Sequence, residues 1–229
     1  MASASAAHPR RVPYVLAGTA ALLLWGFGSV ADEVLEGDTV AFDQAVTSFF
    51  REPGSLDDPW GPTWLEEAMR DVTAMGSFTI LGFILIAAVL FLAFSGKART
   101  AFFVAVSVIG GTIVSTGFKM LFDRPRPDVE AATRVFTASF PSGHATVSAV
   151  VYLTLGLLLA EAMTSRGLKV YFIGLGVFMT ICVGISRIYI GVHYPTDVIA
   201  GWSLGAAWAL VCWAGYALLF GHDRGRTDT

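Results

Sequence analysis

Six stretches of the chain are long and apolar enough to cross a bilayer as helices, approximately residues 12–31, 72–94, 100–122, 145–163, 168–189 and 198–220. A spanning helix needs ~20 mostly apolar residues, because hydrocarbon offers no partner to an unpaired backbone N–H or C=O. The expected fold is therefore all-α, an integral membrane bundle of six transmembrane helices, with residues 1–229 forming a single domain. Composition points the same way. Of the 229 residues, 55% are hydrophobic and only 14% charged, and the mean hydropathy is +0.64, too apolar for an ordinary soluble domain. A formal net charge of -3 lacks the broad basic character of a nucleic-acid-binding protein, and that class is set aside. Cys182 and Cys212 both fall inside apolar runs, without C-x-x-C or Cys/His spacing, and read as packing residues.

Basic residues set the expected orientation. Arg10 and Arg11 precede the first stretch, Lys97 and Arg99 lie between the second and third, Arg166 and Lys169 between the fourth and fifth, and Arg224 and Arg226 follow the sixth. Short cytoplasmic loops collect Lys and Arg, so both termini and these two loops are expected in the cytoplasm and the other three loops outside. Lys119, Arg124, Arg126, Arg134 and Arg187 break the rule and need another reason to exist. The first stretch has a second reading as a signal peptide cut after Ser29-Val30-Ala31, which would leave five helices. Its apolar run exceeds the ~7–15 residues of a typical signal core, which favours an uncleaved span.

The first outer loop, Asp32 to Asp71, carries Val40, Phe42, Val46, Phe49 and Phe50 at roughly helical spacing after a candidate N-cap, Asp38. A second short pattern holds Trp64, Leu65, Ala68 and Met69. Two readings fit: a pair of short amphipathic helices at the outer interface beside a substrate portal, with Trp60 and Trp64 at headgroup depth, or a simple cap on the bundle.

Chemistry concentrates in three places: Lys119 through Arg126-Pro127, then Pro141-Ser142-Gly143-His144, then Ser186-Arg187 through His193 to Asp197. All three fall at the outer ends of expected helices, where ionisable groups are costly and hence functional candidates. Each element alone has a bland explanation. A helix-end Arg or Lys snorkels to the headgroups, Ser-Gly makes a turn, and a single His is structural. Together they describe a phosphate site, with guanidinium forks, an ammonium, and a glycine turn whose N–H groups open a helix. Lys119 and Arg126 are seven apart, two turns on one helical face, although Pro125 and Pro127 are expected to end the helix between them. His193 and Asp197 have i, i+4 spacing, so a helical turn beginning near Pro195 lets the carboxylate orient the ring as it would a nucleophile. His144, from another helix end, is free to act as general acid and base. His8 and His222 read as solvent-facing tail residues. Arg124 and Arg134 are open between assisting a headgroup and adding surface charge.

At these residues the chain resembles the type 2 phosphatidic acid phosphatase superfamily, whose signature is K-x6-R-P, then P-S-G-H, then S-R-x5-H-x3-D, and all three blocks match. With its flanking helices the resemblance covers about the C-terminal two-thirds of the chain. It implies that His193 is a nucleophile forming a phosphohistidine, that Asp197 is its partner, and that His144 protonates the leaving group. It also implies that Lys119, Arg126, Ser142, Gly143 and Arg187 bind the phosphoryl oxygens. A cationic cage can replace a metal in phosphoryl transfer, so no metal and no cofactor are expected; Asp57 and Asp58 in the first loop have no histidine beside them.

The expected activity is removal of phosphate from a membrane lipid phosphate or pyrophosphate at the outer face of a bacterial inner membrane. Undecaprenyl pyrophosphate and phosphatidylglycerophosphate are the favoured substrates, with phosphatidic acid, lipid A and phosphotransfer to another lipid as alternatives. Two other classes share part of this pattern. Vanadium-dependent haloperoxidases share the cage but are soluble, and a non-catalytic lipid-phosphate-binding protein would need only the cations, not both histidines.

Overall fold

The computed structural model describes residues 12–129 and 137–220. Arg10, Arg11, Arg134, Arg224, Arg226, His8 and His222 lie outside them. Eight helices carry the described chain: α1 (Val12–Glu36), α2 (Val40–Phe49), α3 (Thr63–Ala74), α4 (Phe78–Phe94), α5 (Ala98–Leu121), α6 (Gly143–Ala162), α7 (Arg166–Ile190) and α8 (Pro195–Phe220). The protein is an all-α integral membrane protein. Five helices, α1 and α5 to α8, are long and apolar enough to span a bilayer, and α3 with α4 makes up to a sixth as a pair bent by 47°.

That bend corrects the expectation of one continuous helix over 72–94. The break falls at Met75-Gly76-Ser77 and has local causes. The Ser77 side chain accepts from the Ile80 N–H and so starts a new helix. A side chain on Gly76 would fall 2.3 Å from Val183 Cγ1, so only glycine lets the chain pass this close to α7. The Tyr152 hydroxyl donates to the Met75 carbonyl at 2.8 Å, fixing the break to α6. At the N-terminal side, α1 continues past Ala31 to Glu36.

Helix α6 is the innermost span, with 56% of its apolar window buried, the largest share of the five. Hydrocarbon gives no hydrophobic drive between helices, so close backbone approach at small residues does much of the work. Gly156 on α6 and Gly176 on α7 face each other's backbones, where a Cβ would meet the Phe172 carbonyl oxygen at 2.8 Å and the Tyr152 carbonyl oxygen at 2.6 Å. On α8, Gly201 and Gly205 lie against α6, where a Cβ would meet Ser142 O at 2.8 Å and Thr146 O at 2.4 Å. Phe27 and Ala31 of α1 pack with Phe140, Ala200 and Leu204. Cys182 and Cys212 are free, half-buried thiols, and Cys212 packs beside Phe103, Trp213 and Tyr216. Outward-facing Trp25, Phe83, Phe91, Phe94 and Phe102 are exposed, as a surface solvated by lipid tails requires.

Helix α2 turns most of its apolar residues away from the bundle. Its inward stripe is polar: Thr39, Asp43, Thr47 and Arg51, at four-residue spacing, are all buried, while Val40, Phe42 and Phe49 are exposed. Val46 and Phe50 alone of the expected apolar set pack inward, against Ala145, Ile188 and Val198. The N-cap position is Thr39, without a side-chain cap bond, and not Asp38.

Candidate active site

The chain direction of the spans brings the three motif blocks to one end of the bundle: the C-terminal ends of α5 and α7 and the N-terminal ends of α6 and α8. Helices α2 and α3 lie at this same end. Helix α5 stops at Leu121, and Phe122 is already extended, consistent with the prolines that follow. Lys119 is therefore on the last turn of α5 and Arg126 is off the helix, not two turns further along one face. The two heads still converge, since Lys119 Nζ donates to the Ala138 carbonyl at 2.8 Å and Arg126 Nη2 to the same oxygen at 3.3 Å.

Every nitrogen of Arg126 is placed. Nε donates to Thr137 O at 3.0 Å, Nη2 also to Thr137 Oγ1 at 3.2 Å, and Nη1 to Val192 O at 2.6 Å. The same Nη1 lies 3.2 Å from His193 Nε2. Burial works to lower the Arg126 pKa, opposed by Asp197. Arg187 is buried and donates from Nη1 to Thr73 Oγ1 at 3.1 Å, while its Nε has no partner among the described residues. A buried guanidinium N–H of this kind is a strong donor to an anionic oxygen.

Ser142 is the N-cap of α6, its hydroxyl accepting from Ala145 N, and its own N–H donates to the Asp197 carbonyl at 2.9 Å. The start of α6 is thus tied to the start of α8. A Cβ on Gly143 would sit 3.2 Å from the Lys119 Cε, so the Lys119 stem runs close against this turn. His144 opens the helix behind it, its ring 6.4 Å from that of Phe78, within electrostatic range of Arg187, His193, Lys119 and Arg126. All eight residues expected from the sequence are accordingly gathered in one region.

His193 lies between α7 and α8 and is 2% exposed; Asp197, on the first turn of α8, is fully buried. His193 Nδ1 is 3.5 Å from Asp197 Oδ2 and 3.4 Å from Ser139 Oγ. Burial pushes the imidazole down to about 3, against the pull of Asp197 and with Arg187 and Arg126 adding to the effect. Residues that the motif reading left out complete the surroundings. The Ser139 hydroxyl and the Tyr194 N–H both donate to Asp197 Oδ2. Arg124 bridges Asp197 Oδ1 at 2.6 Å and Asp43 Oδ2 at 2.7 Å. Arg124 is thus neither surface charge nor a headgroup contact but an internal ion pair. Burial opposes its charge, yet the two carboxylates outweigh burial and raise its pKa. Asp43 had one legible signal, the one charged residue in the helical pattern of 40–49. Ser139 had none. Among the described residues, no group of three or more His, Cys, Asp or Glu is arranged to hold a metal ion.

Donors gathered around an unprotonated imidazole nitrogen suit a phosphoryl group, and the class this defines is a membrane-embedded phosphohydrolase. Comparison with known proteins agrees. The chain belongs to the PAP2 superfamily, whose family model matches residues 100–219, and it is an enzyme of the lipid phosphate phosphatase type. It is 34% identical over 146 residues to phosphatidylglycerophosphatase B of Bacillus subtilis, covering 62% of this chain and 70% of that one. Over a shorter stretch of 68 residues it is 41% identical to an undecaprenyl-diphosphatase of Sulfolobus acidocaldarius, covering 30% and 29%. The fold matches the crystal structure of a transmembrane PAP2-type phosphatidylglycerolphosphate phosphatase from Bacillus subtilis with a TM-score of 0.75, at 23% identity, over 92% of this chain and 98% of that one.

Proposed function

We propose that the protein hydrolyses a membrane lipid phosphate or pyrophosphate through a phosphohistidine on His193, without a metal ion. The observation that carries this reading is the contact between Arg126 Nη1 and His193 Nε2: a guanidinium has no acceptor, so Nε2 presents its lone pair toward the cage. The neutral ring then carries its proton on Nδ1, on the side of Asp197.

The steps follow from this polarity. The phosphoryl oxygens take the donors of Lys119, Arg126, Arg187 and the Ser142–Gly143 turn. Nε2 forms a bond to phosphorus as the bond to the leaving oxygen breaks, and His144 protonates that oxygen. The positive charge developing on His193 is stabilised by Asp197. A water molecule, deprotonated by His144, then cleaves the N–P bond and releases phosphate, restoring both histidines.

Phosphatidylglycerophosphate and undecaprenyl pyrophosphate are the substrates to test first, because relatives named for each of these chemistries share this chain's sequence. We read the bent α3–α4 pair as the sixth span, the whole chain as a single domain, and α2 and α3 as interfacial helices whose exposed Phe42, Phe49 and Trp64 meet the membrane surface. The basic loop residues Lys97, Arg99, Arg166 and Lys169 favour a cytoplasmic location for the opposite end of the bundle. The active site then faces outward from a bacterial inner membrane.

A turnover panel in detergent tests the reading, comparing polyprenyl pyrophosphate, phosphatidylglycerophosphate, phosphatidic acid and lipid A with and without EDTA. The expected result is phosphate release unaffected by chelation and inhibited by vanadate, which mimics the trigonal-bipyramidal transition state. Loss of activity in EDTA, restored by magnesium, would refute the metal-free mechanism.

A further inference from the structure

Both oxygens of Asp197 are committed before any substrate arrives. Oδ2 accepts from the Tyr194 N–H at 2.9 Å and from Ser139, and Oδ1 accepts from Arg124 Nη1 at 2.6 Å. Arg124 does not reach toward the cage. Its Nη1 also donates to Thr196 Oγ1 at 2.8 Å, its Nη2 donates to Asp43 Oδ2 at 2.7 Å, and its guanidinium lies 4.6 Å over the Tyr194 ring. Asp43 closes the circuit. It is 1% exposed, accepts the Thr196 N–H on Oδ1 at 3.1 Å and the Thr196 hydroxyl on Oδ2 at 2.7 Å, and so caps the start of α8 from a different helix.

The two arginines of the Asp-Arg-Pro-Arg-Pro segment thus serve opposite sides of one imidazole. Arg126 faces Nε2, while Arg124 faces the carboxylate behind Nδ1. A buried carboxylate with no counter-charge would repel an incoming phosphate dianion and would itself tend to take up a proton. Arg124 supplies that counter-charge. Asp43 in turn keeps Arg124 from swinging toward the phosphate, since a guanidinium held by two carboxylates and an aromatic face has little to gain by leaving. The inward polar stripe of α2 fits this use: the helix turns Asp43, not Phe42 or Phe49, toward the bundle.

We infer that Arg124 and Asp43 are positioning residues for the His193–Asp197 pair, holding the carboxylate where it keeps the imidazole proton on Nδ1, and that α2 is for this reason part of the active-site machinery. The inference rests on His193 being the nucleophile. Neither residue touches the reacting atoms; both act through Asp197.

The test is a double-mutant cycle on the purified full-length protein in detergent, reading acid-labile, base-stable label from a radioactive activated aryl phosphate alongside steady-state kcat and KM. Arg124→Gln should slow phosphoenzyme formation by on the order of tenfold to a hundredfold, with KM changed by less than about twofold. Arg124→Lys should recover part of the loss, and Asp43→Asn should fall in the same direction by less. In an Asp197→Asn background, Arg124→Gln should cost less than about threefold, because the group it acts through has already lost its charge. Full multiplication of the two losses would overturn the inference, as would a rise in KM with kcat intact, which would make Arg124 a substrate ligand. If Arg124→Gln fails to run as a single species on gel filtration, the cycle between Asp43→Asn and Asp197→Asn decides by the same rule. Absence of label on the unmutated protein would refute the phosphohistidine reading instead, and the steady-state cycle would still report whether Arg124 and Asp197 act as one unit.

Discussion

Arg126 donates from Nη1 to Nε2 of His193 across 3.2 Å, and because a guanidinium can only donate, the contact favours the tautomer with Nε2 unprotonated, the one the proposed mechanism uses. In the proposed mechanism this contact opens as Nε2 bonds to phosphorus, which would free the Arg126 N–H for a phosphoryl oxygen.

Replacing Arg126 by Lys should consequently cost more than a point charge would suggest. The ammonium keeps the charge but loses the planar fork that spans Val192 O, Thr137 and His193 Nε2 together. Loss of one strong preorganised donor typically slows chemistry ~100-fold to 1,000-fold, and single-turnover phosphate release from Arg126→Lys is expected to fall in that range. Near-normal turnover in this variant would show that charge alone suffices there.

The two histidines should separate by leaving group. His193→Ala is expected to form no phosphoenzyme with any substrate. His144→Ala should still be labelled by an activated aryl phosphate, whose departing oxygen needs little protonation, and should then turn over slowly because water activation is lost. Rapid quenching and acid or base treatment of the labelled protein make the measurement. Label surviving in His193→Ala but lost in His144→Ala would exchange the two roles.

The pH behaviour of His193 follows from its burial, which pushes it down to about 3 from the ordinary ~6.5. The neutral imidazole then persists throughout the physiological range. For an aryl phosphate that needs no general acid, kcat/KM should show no acidic limb near pH ~6.5 from this residue. Stability carries the opposite mark. Between about 3 and ~6.5 the unfolded chain binds a proton at His193 that the folded chain does not, so this contribution is complete above ~6.5 and is lost as pH falls toward 3. The thermal midpoint of His193→Gln in detergent should therefore decline less on acidification than that of the unmutated protein. An equal decline would place the proton-linked step elsewhere.

Packing at α6 and α8 provides a test remote from the chemistry. A side chain at Gly205 would meet Thr146 O at 2.4 Å, whereas at Gly215, on the same helix, nothing lies within 4 Å. Gly205→Val should cost about 1–3 kcal/mol of stability by overpacking and, by shifting the start of α6, should lower activity as well. Gly215→Val should do neither. Similar melting curves for the two variants would show that the close approach is not limiting.

Most of the helical architecture was readable along the chain because hydrocarbon imposes a one-dimensional rule: a run of ~20 apolar residues must satisfy its own backbone. The runs that became α1 and α5 to α8 are correct to within a few residues, and the ordered motif blocks named Lys119, Arg126, Ser142, Gly143, His144, Arg187, His193 and Asp197 together. The span at 72–94 misled for the same reason, since hydropathy does not register that Gly76 must pass against Val183 or that Ser77 begins a new helix.

The facing of α2 and the partners of Asp197 were decided only in three dimensions. Periodicity marks an apolar face but not what that face meets, and beside a membrane the apolar side turns outward and the polar stripe inward. Ser139 and Arg124 reach Asp197 from 58 and 73 positions away, and Asp43 reaches Thr196 beside it from 153 positions away. No local spacing encodes such a meeting. Sequence by itself determined the family and picked out the residues that gather at one end of the bundle, because those groups stand at set intervals along helix ends. The tertiary structure alone decided which charges stand behind His193, because a buried carboxylate must be neutralised by whatever cation the fold can bring to it.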